Sequence, residues 1–167
     1  MLNDYPREML DGPTANQVSG QLVACMDTCE IYQDGTWQHL LNTTTHRKYH
    51  SSATTENAVL LIGGNSNSTE LIPVNGSSPQ PGPFSVRHGP SHCTIHITAD
   101  IIVVNGGQGT YDHVTKYQLT TGNQTELTPM RHLRHSHACG FYRNEAGQQV
   151  KPSTQAFNEH LALATFN

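Results

Sequence analysis

Arginine returns along this chain at a nearly constant interval: Arg7, Arg47, Arg87 and Arg134 are separated by 40, 40 and 47 residues. Each opens a stretch of similar layout, with a small and polar segment, an apolar run, a turn, and a segment bearing Tyr, Trp or Ile. Two of the apolar runs end in a glycine pair, Val59-Leu60-Leu61-Ile62-Gly63-Gly64 and Ile101-Ile102-Val103-Val104-Asn105-Gly106-Gly107. A period of this size restricts the fold to a solenoid, propeller or array, because each unit buries its apolar faces only against its neighbours.

The other marks keep the same phase. Arg47 leads to His50-Ser51-Ser52-Ala53, Arg87 to His92-Cys93-Thr94-Ile95, and Arg134 to His137-Ala138-Cys139-Gly140. From histidine to glycine pair is 13 residues in one module and 14 in the next. That length fits strand, turn, strand, with turns at Thr54 to Asn57 and Thr98 to Asp100. The runs before the glycine pairs do not alternate, so Leu60, Leu61, Ile62, Ile102, Val103 and Val104 are expected to be buried on both faces. Thr69 to Val74 and His113 to Leu119 do alternate, as half-buried strands. A fourth short strand is expected near Gly82 to Val86 and near Gln124 to Thr128. The first module is the most divergent copy, with Met26-Asp27 in place of the glycine pair, then Tyr32, an Asp34-Gly35 turn and Trp37.

These segments predict an all-β chain of four-stranded antiparallel sheets. The modules are placed at about 5–46, 47–86 and 87–133, with a partial one at 134–150. Proline at 152 ends the last apolar run, because it cannot donate to a sheet ladder. Residues 151–167 fit no module; Ala156 to Phe166 is expected to form a short amphipathic helix or stay loose. Composition agrees with many turns: 35% of residues are hydrophobic and 13% charged, with much Ser, Thr, Asn, Gly and Gln. A net charge of −4 with no Lys/Arg cluster excludes binding nucleic acid through phosphates. No apolar stretch approaches the roughly 18–20 residues that span a bilayer, and Asp4, Arg7 and Glu8 in the first ten residues do not suit a signal peptide.

Cys25 and Cys29 are close enough to bridge across a turn. Cys93 and Cys139 occupy near-equivalent places in successive modules. Stacked sheets lie about 10 Å apart while a disulfide needs Cα atoms within roughly 7 Å, so these two are expected to be free thiols. Four Asn-x-Ser/Thr sequons, at Asn42, Asn67, Asn75 and Asn123, against about two expected by chance, give a mild lean towards a secreted parent.

Modules of this length, with an apolar strand ending in Gly-Gly, a later Tyr and Trp, and a closing Arg-x-x-His, resemble kelch repeats. The resemblance covers roughly residues 5–150; His137-Ala138-Cys139-Gly140, Gly147-Gln148-Gln149-Val150 and Asp34-Gly35-Thr36-Trp37 resemble divergent kelch-like proteins of animals. It implies the blades of a β-propeller. Gly63, Gly64, Gly106 and Gly107 then allow positive φ and close backbone approach. Tyr32, Trp37 and Tyr117 are expected to be buried between blades, and Arg7, Arg47, Arg87 and Arg134 to donate to carbonyls between blades. Three modules and a half cannot close a ring, so the expected fold is an open partial propeller, a piece of a larger ring or one partner of an assembly.

Eleven histidines raise the question of a metal. His88, His92 and His96 are four apart, but Gly89-Pro90 forbids a helix, and i, i+4 in a strand lie about 13 Å apart. His135, His137 and Cys139 share a strand face without a further ligand. Some kelch-type propellers are copper enzymes similar to galactose oxidase, yet no Tyr/His ligand set is identifiable here. There is no Gly-x-Ser-x-Gly elbow, and neither glycine pair has a phosphate-loop ending. The expected function is therefore a non-catalytic binding or scaffold module without a cofactor, whose loops face a protein or glycan partner. The alternative is a segment of a larger propeller enzyme or receptor ectodomain. Self-association through open terminal blades is also expected, with apolar faces including Leu22, Val23 and Ile31 at one end and Phe141 and Val150 at the other.

Overall fold

The computed structural model describes residues 14–139, which contain twelve strands. They are β1 (Thr14–Val18), β2 (Gln21–Cys25), β3 (Thr28–Gln33), β4 (Thr36–Asn42), β5 (Ser51–Thr54), β6 (Ala58–Ile62), β7 (Thr69–Pro73), β8 (Gln80–Pro81), β9 (Cys93–Thr98), β10 (Ile101–Asn105), β11 (Val114–Gln118) and β12 (Gln124–Glu126). Each consecutive four form one antiparallel sheet in chain order, and no sheet closes into a barrel. The architecture is all-β, three four-stranded blades of an open partial propeller. Arg7, Phe141, Val150 and the tail from residue 151 lie outside the described residues.

The turns follow from their residues. Ser19-Gly20 and Asp34-Gly35 both have positive φ at two successive positions, the twist that joins adjacent antiparallel strands in two-residue hairpins. The fourth strands are short: β8 has two residues, earlier than the Gly82–Val86 segment suggested. Gly82 instead packs its backbone against Thr69, whose hydroxyl donates to the Phe84 carbonyl at 2.6 Å. That segment is thereby held as an irregular cover.

Register makes the three sheets superposable. Ile62 and Asn105 immediately precede their glycine pairs, and Cys25 precedes Met26. Leu22, Val59 and Ile102 are thus equivalent, and so are their cross-strand partners Tyr32, Ile72 and Tyr117. The inner strands β1, β5 and β9 lie side by side. Ser51 bonds to Thr94 and Thr54 to His96, while Thr14 bonds to His50 and Asn16 to Ser52, so all three strands run in one direction. Turns β1–β2, β5–β6 and β9–β10 consequently emerge at one end of the stack.

Two cores hold it together. Val18, Val23, Cys25, Cys29, Ile31 and Leu41 of the first sheet pack on Val59, Leu61 and Ile72 of the second. The opposite face of the second sheet, with Ala53, Leu60 and Ile62, packs on Ile102, Val104 and Tyr117 of the third. Strand β6 is buried at all five positions, as its unbroken apolar run requires. Leu60, Leu61, Ile62, Ile102, Val103 and Val104 are all buried. Val23 and Ile31 are part of the first core rather than of an open terminal face, because they point towards the second sheet; only Leu22 of that trio is exposed.

Cys25 and Cys29 are joined, with Cα atoms 4.1 Å apart. Cys93 and Cys139 are also joined, at a Cα separation of 6.0 Å, which corrects the expectation of free thiols. The 10 Å spacing applies where sheets face each other across a full core, whereas blades converge at their inner strands. Ser51 and Thr94, at the positions equivalent to Cys93 and Cys139, already meet by a hydroxyl–hydroxyl hydrogen bond across the neighbouring seam.

Candidate binding surface and inter-blade latch

At the end of the stack opposite the β1–β2 turn, each module repeats one small device. Tyr49, Ser91 and Ser136 have φ of 57°, 62° and 50°, and each directly precedes its module's histidine, His50, His92 or His137. Their main chains are linked from module to module: Ser91 N–H donates to Tyr49 O and Ser136 N–H to Ser91 O, both at 2.9 Å. The left-handed kink turns each histidine into the wedge between neighbouring blades. A serine or tyrosine held there stores backbone strain that only a well-determined surrounding sustains.

The glycine pairs are the floor of that wedge. Gly63, Gly64, Gly106 and Gly107 have φ of 63°, 89°, 64° and 105°. A Cβ on Gly63 would lie 2.7 Å from the His92 ring, and one on Gly106 2.7 Å from the His137 ring, each in the following module. Gly64 and Gly107 instead lie beneath their own module, where a Cβ would overlap the carbonyl of Lys48 or Gly89. A side chain on the first glycine would strike the neighbouring module and one on the second its own blade. His137 Nε2 lies 2.7 Å from Asn105 Oδ1, and His92 Nδ1–H donates to Gly89 O at 2.9 Å. Burial pushes His50 down to about 4, with the Arg47 charge acting in the same direction. Burial likewise pushes His92 down to about 4, against the pull of the Gly89 carbonyl. Both imidazoles are neutral structural groups near pH 7.

The four arginines do not share one role. Arg47 is buried, and its Nη1 donates to Gly63 O at 3.0 Å and to Ser68 O at 2.8 Å, its Nη2 to Ser68 Oγ at 2.7 Å. Its Nε lies 3.4 Å from Glu70 Oε2, and Glu70 Oε1 accepts from Thr44 N–H and Oγ1–H at 2.6 and 2.7 Å. Burial presses the guanidinium below its ordinary value, and Glu70 opposes this. These carbonyls belong to the arginine's own blade, so the expected inter-blade bond is replaced by an intra-blade one.

Arg87 is exposed, and the buried His88 occupies Arg47's place. His88 Nδ1–H donates to Gly106 O at 2.8 Å, and Nε2 lies 2.8 Å from Oγ1 of Thr115, the residue equivalent to Glu70. Burial holds His88 below its usual value. A charged Arg–Glu pair and a less polar His–Thr pair thus close the same space. Arg134 is half-buried and acts here through its main chain, donating to Tyr111 O at 2.8 Å and accepting from Gly107 N–H at 3.1 Å. The two-residue insertion Gly89-Pro90 is the signal that could have revealed the exchange at 87 and 88. Nothing in residue type marks the kinked Tyr49, Ser91 and Ser136, which are recoverable only from their phase, one position before each histidine.

Tyr117 is buried and stacks on Phe84, with ring centroids 4.4 Å apart and the rings inclined by 21°. Tyr32 and Trp37 depart from the expected inter-blade burial. They remain 42% and 47% exposed, with Leu22 at 45%, on the first sheet's outer face. Leu22, Tyr32 and Trp37 are direct cross-strand partners on β2, β3 and β4, so they form one lateral row. The rings of Tyr32 and Trp37 tilt against each other at 5.3 Å between centroids. A flat apolar row with one phenol and one indole N–H suits a surface that must be soluble alone and dry when covered.

Among the described residues no three His, Cys, Asp or Glu side chains gather closely enough to hold a metal ion. Cys139 is in a disulfide and so cannot join His135 and His137 as a thiolate ligand. No helix among the described residues is long and apolar enough to cross a membrane. No protein-family model matches the chain, and no curated protein is similar to it.

Proposed function

We propose that this chain is a non-catalytic binding or scaffold module of kelch type. Its partner is a protein, or a glycan, and it meets the partner through inter-strand loops and the open face of the first blade. One observation carries the reading: the Leu22–Tyr32–Trp37 row stands about half exposed, while the positions equivalent to Leu22 and Tyr32 on the other two blades, Val59, Ile72, Ile102 and Tyr117, are sealed. Aromatic residues of this kind are enriched in the energetically dominant part of interfaces. The glycine pairs, His50, His92 and His137, and the buried Arg47 and His88 support a kelch-like layout, because each is engaged in holding blades or loops together. As bait, the wild-type chain is expected to retain a protein partner that a Tyr32→Ala/Trp37→Ala chain of equal stability does not. Equal capture by the two chains would overturn the role of this face.

Two disulfides favour a second reading, a segment of a larger propeller enzyme or receptor ectodomain, because disulfides persist in oxidising compartments. Copper or zinc in stoichiometric amount by elemental analysis of purified protein would favour the enzyme.

A further inference from the structure

We propose that Asn75 and Asn123 are N-glycosylation sites. Both open Asn-x-Ser/Thr sequences, Asn75-Gly76-Ser77 and Asn123-Gln124-Thr125, and both asparagines are exposed. They occupy equivalent places: Asn75 lies in the connection from β7 to β8 and Asn123 in that from β11 to β12, at the outer edges of adjacent blades. Antiparallel pairing puts both connections at the same end of the stack. Val74 N–H donates to Asn57 O in the β5–β6 turn, and Leu119 N–H donates to Asp100 O in the β9–β10 turn. Gly76 and Gly122 turn the chain with φ of 75° and 71°. No atom lies within 4 Å of where a Gly76 Cβ would stand, so the turn is open to solvent. At Asn75 the acceptor amide already meets its own sequon hydroxyl: Ser77 Oγ–H and N–H donate to Asn75 Oδ1 at 2.7 and 3.0 Å.

The other two sequons differ in their surroundings. Thr69, of the Asn67 sequon, is buried with its hydroxyl on Phe84 O, and Asn67 O accepts from Val86 N–H at 2.7 Å. Thr44, of the Asn42 sequon, is held by Glu70. The outer-edge turns carry none of these ties to a neighbouring element through their sequon hydroxyls. The disulfides Cys25–Cys29 and Cys93–Cys139 are an independent observation pointing to the same oxidising route on which such glycans are added.

The donor is a polyprenyl-diphosphate-linked oligosaccharide. The side-chain amide nitrogen of Asn75 or Asn123 forms a bond to the anomeric carbon as the bond from that carbon to the diphosphate oxygen breaks. The lipid diphosphate leaves with the electron pair, and the amide proton passes to a base of the transferase. The products lie at the end of the stack remote from the histidine latch, so the blades pack unchanged.

The test is secretion of the full chain from animal cells behind a cleavable leader, followed by amidase treatment in heavy-oxygen water and peptide mapping. Heavy-oxygen aspartate is expected at 75 and 123. Asn75→Gln and Ser77→Ala should each remove the same single mobility step, and Asn123→Gln and Thr125→Ala the other, read in both secreted and cell-retained fractions. Unmodified asparagine at both positions in either fraction, or a mobility step that survives Ser77→Ala and Thr125→Ala, would overturn the proposal.

Discussion

Leu22 and Tyr32 on the first blade occupy the register positions of Ile102 and Tyr117 on the third, yet the two pairs have opposite fates. The first pair is 45% and 42% exposed, the second fully buried. Strand pattern and cross-strand partnership are the same in both places; the difference is the second sheet, which covers Ile102 and Tyr117 and presents its other face to the opposite side of the first blade. Burial in a stacked array belongs to the interface between units more than to the unit itself. The same amphipathic strand is core in one copy and surface in another.

The sharpest way to break this comparison is to place a charge at equivalent positions. Ile102→Asp should unfold the second and third blades together, because an unpaired carboxylate would sit between two sheets. Leu22→Asp should change stability by less than about 1 kcal/mol. Urea denaturation followed by intrinsic fluorescence checks both, and equal losses for the two variants would mean that the first blade's outer face is covered in solution.

Acid separates seam from open face in a second way. His50 and His92 are pushed down to about 4 within the blade seams, while His39 stands exposed on the first blade. Below the ordinary value of about 6.5 the unfolded chain takes up protons that the folded chain refuses, so stability falls as pH falls towards 4. Each buried histidine contributes on the order of 3 kcal/mol over that window, present above about pH 6.5 and progressively lost below it. Melting temperatures between pH 7 and pH 4.5 should drop steeply, and less so in His92→Gln. A flat profile would show that the latch histidines are solvated.

The smallest expected effect contrasts two glycines of similar φ. Gly35, in the exposed hairpin at φ 80°, has no atom within 4 Å of the point where a Cβ would stand, so alanine there should cost about 1 kcal/mol from backbone strain alone. Gly63, at φ 63°, has the His92 ring 2.7 Å from that point, so Gly63→Ala should cost more and should also shift the His92 resonances in NMR spectra. Equal costs with an unmoved His92 would remove the inter-blade role of the first glycine.

Much of the architecture was open to inference from residue pattern. Strands, turns, the doubly buried runs and the positive φ of the glycine pairs follow from local rules acting on Val59–Gly64, Ile101–Gly107 and Asp34-Gly35. The exposed aromatic pair was less accessible. Tyr32 and Trp37 carry the signature of buried aromatics and only their place on the outermost described sheet exposes them.

The chain alone therefore determined the unit, a four-stranded sheet with a glycine pair at the end of its buried strand and a histidine at fixed phase, because period-two alternation and glycine's missing Cβ act within a few residues. Tertiary structure decided everything that depends on which blade stands beside which. It put Arg47 on its own blade's carbonyls, gave His88 the place that the spacing assigned to Arg87, and joined Cys93 to Cys139. It also left Tyr32 and Trp37 about half exposed. Those outcomes turn on distances between sheets, which narrow towards the inner strands and which no interval along the sequence encodes.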